Sequence, residues 1–341
     1  MKSRRIIVLF VASLLAIGCV GQWSETNVSP LNSELDHIFC GSFLTNYLTI
    51  QLDNRSLITD LPDGPKMSKL FSCVKGERIR DITVEDELVS GVNGNIGSAF
   101  FAPHDSTLWV CSSHNWAGQQ GSNIKIYSFK WSKSGWLAPM AFSHNVKGFN
   151  TAHPYLSPEG DKLIFSSNRP GGAGGMDLWY CNWLVEGWSQ PINLGNGVNS
   201  PSHEVFPVMW KNDIYYSSDR ISEQGLDIYM SPKTDQWESC ERLPEPFNSS
   251  EDDLLPIFID DSRLFITSQR LNGRGGDDVY YFERTAKLRE SGPATAMLEC
   301  LGSPLVGARV TITNTLGEVV LRSNASDSGT FDISDLDLFE T

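Results

Sequence analysis

The chain has 341 residues, 40% of them apolar and only 20% charged, with 29 glycines, 17 prolines and 10 tryptophans. That supply of turn formers and aromatics points to an all-β class with a sizeable core and speaks against a helical protein. The formal net charge of −14 leaves no basic footprint for displacing phosphate counterions, so nucleic acid is excluded as a partner.

In chain order, the first element is a targeting signal. Lys2, Arg4 and Arg5 precede an apolar run over residues 6–17, too short to span a bilayer, which ends in Ala16, Ile17, Gly18 and Cys19. This run of small residues before a cysteine resembles the lipobox of bacterial lipoproteins. The resemblance implies removal of residues 1–18 and lipidation of Cys19, with several acyl chains holding the chain to a membrane. Cleavage there removes three positive charges and takes the net charge to −17. Beyond Cys19 lie six further cysteines, widely spaced and without a CxxC pair. Export permits disulfides; Cys40 with Cys73 is one candidate, whereas Cys111 and Cys181 sit in strand-like runs and read as small buried hydrophobes.

Residues 19–92 are expected to form one further repeat unit, or strands that close a ring against the last one. From residue 93 the chain repeats itself. Residues 155–169, 206–220 and 255–270 share one frame, and residues 101–113 fit it less well. The aligned Leu108, Leu163, Ile214 and Leu264 are spaced by 55, 51 and 50. Asp177, Asp227 and Asp278 recur in phase, as do Arg169, Arg220 and Arg270. Trp136, Trp188 and Trp237 keep the same register, and Asn93, Asn150, Asn199 and Asn248 close the units. Each unit reads as four short strands separated by turn residues. Such a unit exposes two apolar faces, so stacking units around an axis is the way to bury them; the expected fold is a β-propeller of about five four-stranded blades, with six as the alternative.

The Ser157-Pro158-Glu159-Gly160, Ser166-Ser167-Asn168-Arg169 and Gly174-Gly175-Met176-Asp177 elements resemble the WD-like repeat of TolB-type propellers over about residues 90–285. The first copy departs most, with Asn115 where an arginine belongs and Ser122 and Asn123 where a glycine pair and the aspartate would fall. Beyond residue 290 the repeat breaks. Alternating strands near 296–300, 308–312 and 319–322 resemble a carboxypeptidase-regulatory-like β-sandwich, of which residues 291–341 would be a part. An incomplete sandwich leaves an open edge, so a longer ancestor is expected. Envelope lipoproteins with this order of domains often continue into an OmpA-like domain, absent from this sequence.

The glycine-rich turns at 171–175 and 273–276 lack the Lys-Ser or Lys-Thr of a phosphate loop and read as tight turns. The phased Arg169, Arg220, Arg270, Asp177, Asp227 and Asp278 read as scaffold, with the aspartates accepting turn N–H groups or pairing with arginines. His153, Glu204, Asp252 and Asp253 vary between units near the start of each innermost strand. They are the candidate binding residues at the channel mouth, either as converging carboxylates or as solvated rim charges. Trp23, Trp116 and Trp183 fall outside the tryptophan phase and are the candidates for exposed aromatics. No zincin, nucleophile-elbow or metal-ligand spacing occurs, so no catalytic residue, metal or cofactor is assigned.

Together these features predict a chain that is not an enzyme. It would be an outer-membrane lipoprotein facing the periplasm, anchored through Cys19, whose propeller binds envelope protein partners. The family resemblance implies an assembly or anchoring subunit of a type IX secretion or peptidoglycan-tethering system. The alternatives are a carbohydrate-active propeller, resting on Glu204, Asp252 and Asp253, and a surface adhesin.

Overall fold

The computed structural model describes residues 22–28, 32, 36–43, 46–52, 69–74 and 83–87. It continues through 96–285, apart from 119–121, 222–224, 234–236, 238 and 272, and takes in short stretches between 295 and 332. Cys19 and Asn93 lie outside these residues. The chain divides into two compact units, one of them Gly21–Thr285 and the other including Ala286–Thr341.

The first unit is a five-bladed propeller. One strand, β1 (Gln22–Asn27), stands apart in sequence from the rest of its blade. Blade 1 is β2 (Asp36–Phe43), β3 (Asn46–Leu52), β4 (Lys69–Val74) and β5 (Thr83–Glu87). Blade 2 is β6 (Ile96–Ala102), β7 (Thr107–Ser112), β8 (Lys125–Ser132) and β10 (Met140–Ala141), with β9 (Gly135–Trp136) folded back on β8. Blade 3 repeats this with β11 (Thr151–Leu156), β12 (Lys162–Ser167), β13 (Asp177–Leu184), β14 (Gly187–Trp188) and β15 (Ile192–Asn193). Blade 4 is β16 (Glu204–Trp210), β17 (Asp213–Ser218), β18 (Asp227–Ser231) and β19 (Glu241–Arg242). Blade 5 is β20 (Asp253–Asp260), β21 (Arg263–Ser268) and β22 (Asp278–Thr285), and its outer strand is β1.

The innermost strands touch in sequence, β2 to β6, β11, β16 and β20, and β20 returns to β2, so the ring is closed. Five blades, not six, complete it. The N-terminal segment therefore supplies a whole blade and also the strand that closes the last one. Leucine, isoleucine and aromatic side chains on both faces of the inner strands are buried between neighbouring blades, which is where the repeat finds its hydrophobic stabilisation.

In blades 2 to 5 one asparagine ties the outer connection to the third strand. Asn199 accepts from Leu178 N and donates to Leu178 O at 2.8 and 3.0 Å. Asn248 does the same with Ile228 at 2.7 and 2.9 Å. In blade 2 this role falls to Asn145, bonded to Ile126, and not to Asn150. In blade 5 it falls to Asn32, which embraces Val279 at 2.8 and 3.0 Å. Replacing Asn248 by leucine would leave the buried Ile228 N–H without its acceptor and remove the amide's donations to Ile228 O and Leu243 O. The expected cost is about 2–4 kcal/mol, measured as a shift in the urea midpoint at unchanged m-value.

Every innermost strand carries a bulge, marked by register shifts at Phe39/Gly41, Ile96/Ser98, Ala152/Tyr155, Val205/Val208 and Leu254/Ile257. In the last three blades the bulged residue is His153, Phe206 or Leu255, each left-handed with φ near 50° and each followed by proline. Left-handed backbone is unfavourable for these side chains. The tight ring of neighbouring strands holds it.

In the second unit β23 (Thr295–Met297) pairs with β28 (Thr330–Asp332), β24 (Glu299–Cys300) with β25 (Ser303–Pro304), and β26 (Arg309–Thr313) with β27 (Val319–Asn324). These strands cover the three stretches that the alternation marks.

Candidate functional site

The inner strands all begin at one end of the propeller, where the phased polar residues collect. Register identifies equivalent positions there. Glu204 faces Ser218 and Asp253 faces Ser268 across the first hairpin of their blades; the residue facing Ser167 in blade 3 is Thr151.

Glu204 is completely buried. It accepts from Ser200 N at 3.0 Å, Ser200 Oγ at 2.5 Å and Ser218 Oγ at 3.1 Å, and pairs with Arg220 Nη2 at 3.1 Å. Burial pushes its carboxyl above the ordinary range, against the pull of those partners. Asp253 repeats the arrangement, with Ser249 N and Oγ at 2.5 and 2.8 Å and Arg270 Nη2 at 2.7 Å. Each arginine also takes a serine hydroxyl through Nε and lies over two aromatic rings, Tyr216 and Tyr229 for Arg220, Tyr280 and Phe282 for Arg270.

In blade 3 the clamp has no carboxylate. Arg169 donates to Ser167 Oγ, His144 O and Thr151 Oγ1, and lies over Phe165 and Trp179. Burial pulls its guanidinium down to about 10, which leaves it protonated at neutral pH.

The aspartates hold turns and strands. Asp177 accepts from Ala173 N, Gly174 N and Asn193 Nδ2. Asp278 accepts from Arg274 N and Gly275 N, and Asp227 takes Arg242 through Nε and Nη2, both at 2.7 Å. The glycines before these aspartates have a steric reason: a Cβ on Gly172 would fall 2.0 Å from Asp177 Oδ2, and one on Gly273 2.1 Å from Asp278 Oδ2.

Asp252 belongs to a third repeated device, a latch between consecutive blades. Its Oδ1 accepts from Leu226 N at 2.8 Å, as His203 Nδ1 accepts from Met176 N and Asn150 Oδ1 from Ile124 N. His153 is not equivalent to Glu204 or Asp253. It lies two residues further along, buried in the wall of the axis with its ring 4.0 Å from Phe206.

These placements correct the channel-mouth expectation. His153, Glu204, Asp252 and Asp253 do not converge on one pocket, and Glu204 and Asp253 are not solvated rim charges. The axis is lined instead by Cys40, Ser98, His153, Pro154, Phe206, Pro207 and Leu255, and the cavity there measures about 10 Å³, room for one water at most. Glu204, Asp252 and Asp253 do not line that cavity.

Three further expectations change. Cys40 and Cys73 are both buried thiols that form no disulfide with each other; burial pushes the Cys40 thiol up to about 12. Trp23 is in phase after all: it faces Arg284 as Trp188 faces Trp183 and Trp136 faces Trp131. Trp116 is half-buried against Tyr127 and Phe129, which leaves Trp183 as the exposed member of the expected three.

No family model and no curated protein matches the chain. Among solved structures it is similar to a putative TolB from Agrobacterium tumefaciens, with a TM-score of 0.43 and 11% identity over 91% of this chain and 95% of that one. It is also similar to a thermostable family-43 glycoside hydrolase, with a TM-score of 0.43 and 12% identity over 82% and 97% of the two chains. The PQQ-bound aldose sugar dehydrogenase from Streptomyces coelicolor gives 0.39 and 11% over 78% and 99%. At these values the likeness stops at the propeller fold. Enzymes stand among these propellers, and the expectation that the chain is not an enzyme is withdrawn on that finding.

Proposed function

We propose that the chain is an exported envelope protein, held by a lipid on Cys19 to the periplasmic side of the outer membrane, whose propeller binds a protein partner. It would serve as an assembly or anchoring subunit of a secretion or peptidoglycan-tethering machine, with the strands beyond residue 290 as part of a carboxypeptidase-regulatory-like module.

One observation carries the binding reading. The residues that follow the three clamp arginines are Pro170, Ile221 and Leu271, and all face solvent or nearly so, Ile221 at 44% and Leu271 at 76% exposure. They stand in phase on rigid, hydrogen-bonded turns around an axis that is closed. Preorganised apolar side chains on a broad polar end suit a protein surface better than a small molecule.

Affinity capture of the lipidated chain from detergent-solubilised, cross-linked envelopes tests this. The expected result is a stoichiometric protein partner whose recovery drops about tenfold when Ile221 and Leu271 are both changed to aspartate. Capture of no partner, or capture indifferent to these changes, contradicts the proposal.

A further inference from the structure

The opposite end of the propeller carries a different surface. There the third strand turns into the fourth, and in blades 2 and 3 these hairpins present apolar tips. Trp183 and Leu184 are 55% and 54% exposed, Val185 is fully exposed, and Trp131 and Leu137 lie open in blade 2. Each tip is braced by a ring pair, Trp183 on Trp188 at 4.9 Å and Trp131 on Trp136 at 4.8 Å. In blade 4 the equivalent of Trp131 and Trp183 is Lys233, which lies over Trp237.

The chain enters the propeller at this same end. Gln22 faces Thr285 in blade 5 as Gly187 faces Leu184 in blade 3. The backbone confirms the level: Arg284 N donates to Ser262 O as Trp183 N donates to Asp161 O and Trp131 N to Ser106 O. Gln22 is therefore level with the hairpin tip that carries Val185. Cys19 is three residues earlier, a reach of at most about 10 Å. The polar layer that an anchor must cross to reach acyl chains is itself about 6 Å deep. A lipid on Cys19 leaves this end no room to stand off.

We infer that the hairpin end of the propeller rests on the lipid bilayer, with Trp183, Leu184, Val185 and Trp131 seated in the headgroup layer. The inference builds on the lipid anchor proposed above. Tryptophan beside aliphatic side chains is the composition that partitions to this depth. Lys130, Lys133, Lys162, Lys211 and Lys233 lie at the same end among its carboxylates, and they spare an acidic chain from repelling anionic headgroups. The arrangement also points Pro170, Ile221 and Leu271 away from the membrane.

The test uses the full lipidated protein in vesicles of phosphatidylethanolamine and phosphatidylglycerol with brominated acyl chains, and the mass of its N-terminal peptide. The expected result is a lipid-modified Cys19 and partial quenching of tryptophan emission. The quenched part should fall by about half in Trp183→Phe, since Trp131 and Trp183 are the two exposed indoles at this end. Leu184→Glu with Val185→Glu should reduce it as well, at unchanged thermal stability. An unmodified Cys19 overturns the anchor and this inference with it. A modified Cys19 with quenching indifferent to both variants overturns the inference alone. So does a dimer in detergent that the double glutamate variant dissociates, which would assign the tips to a second copy of the chain.

Discussion

Changing Asp253 to alanine is expected to destabilise the propeller by about 3–5 kcal/mol, among the largest losses any single substitution here should cause. The carboxylate has no solvent exposure and the Arg270 side chain only 9%. Removing the anion takes the buried carboxylate from the Arg270 guanidinium, which keeps only the half-exposed Glu25 and the Pro246 and Phe247 carbonyls, and leaves the Ser249 N–H without its acceptor. Much of the expected loss is the burial of these groups without that partner, not the strength of the pair. Replacing both partners together, Asp253→Leu with Arg270→Met, should therefore recover much of it. Glu204→Ala should cost about as much: water reaches Arg220, which is 19% exposed, whereas Arg270 keeps Glu25. Urea denaturation measures all three. A loss under about 1 kcal/mol for Asp253→Ala would reduce the clamp to the weight of a surface pair.

Blade 3 shows why the carboxylate is not obligatory everywhere. Thr151 takes its place, and Arg169 leans on a carbonyl, two hydroxyls and two rings. The repeat thus preserves the arginine and the serine, while the third member varies.

The second large effect concerns β1. Deleting residues 22–28 is expected to abolish the monomeric, cooperatively folding propeller. Six residue pairs join β1 to β22, and ladder hydrogen bonds contribute roughly 1 kcal/mol each. Trp23 packs on Phe247 with ring centroids 5.0 Å apart, and Glu25 reaches Arg270 Nη1 at 2.5 Å. Burying a tryptophan adds roughly 2–3 kcal/mol. The sum approaches the whole stability of an ordinary domain, about 5–15 kcal/mol. Deletion would also bare the edge of β22, a template for association between chains. Size-exclusion chromatography and thermal unfolding should show aggregates or a non-cooperative chain. A permuted chain that begins at residue 36 and carries 22–34 after Thr285, through a two-residue turn, should fold again. Failure of the permuted chain, or a stable monomer after deletion, contradicts the role given to β1.

The sequence made the middle of the propeller legible because three consecutive blades keep one length between landmarks. It hid the places where the chain departs from even counting. Asn145 and Asn150 are five residues apart, and counting back from Asn199 selects Asn150, although Asn145 bonds Ile126. His153 passed for the partner of Glu204 and Asp253 because the first hairpin of blade 3 is longer, with Thr151 and Ser167 16 residues apart against 14 for Glu204 and Ser218 and 15 for Asp253 and Ser268. Aligning His153-Pro154, Phe206-Pro207 and Leu255-Pro256 would have placed Thr151 opposite Ser167 and moved His153 into the axis. Trp23 and Asn32 were missed for a topological reason: they complete a blade whose other strands begin more than 200 residues later. Burial was not legible either. Glu204 and Asp253 read as rim charges until the serines and arginines that enclose them came from elsewhere in the same blade.

Closure of the ring by β1 is the claim on which blade number, domain extent and the membrane-facing end all depend, and hydrogen exchange on the native protein measures it directly. The amides of residues 23–27 that donate to β22 should exchange as slowly as those of β21 and β22 and be released with them in one cooperative unit. Exchange of residues 23–27 at the rate of an unstructured peptide, beside a protected β22, would contradict the five-bladed closed propeller.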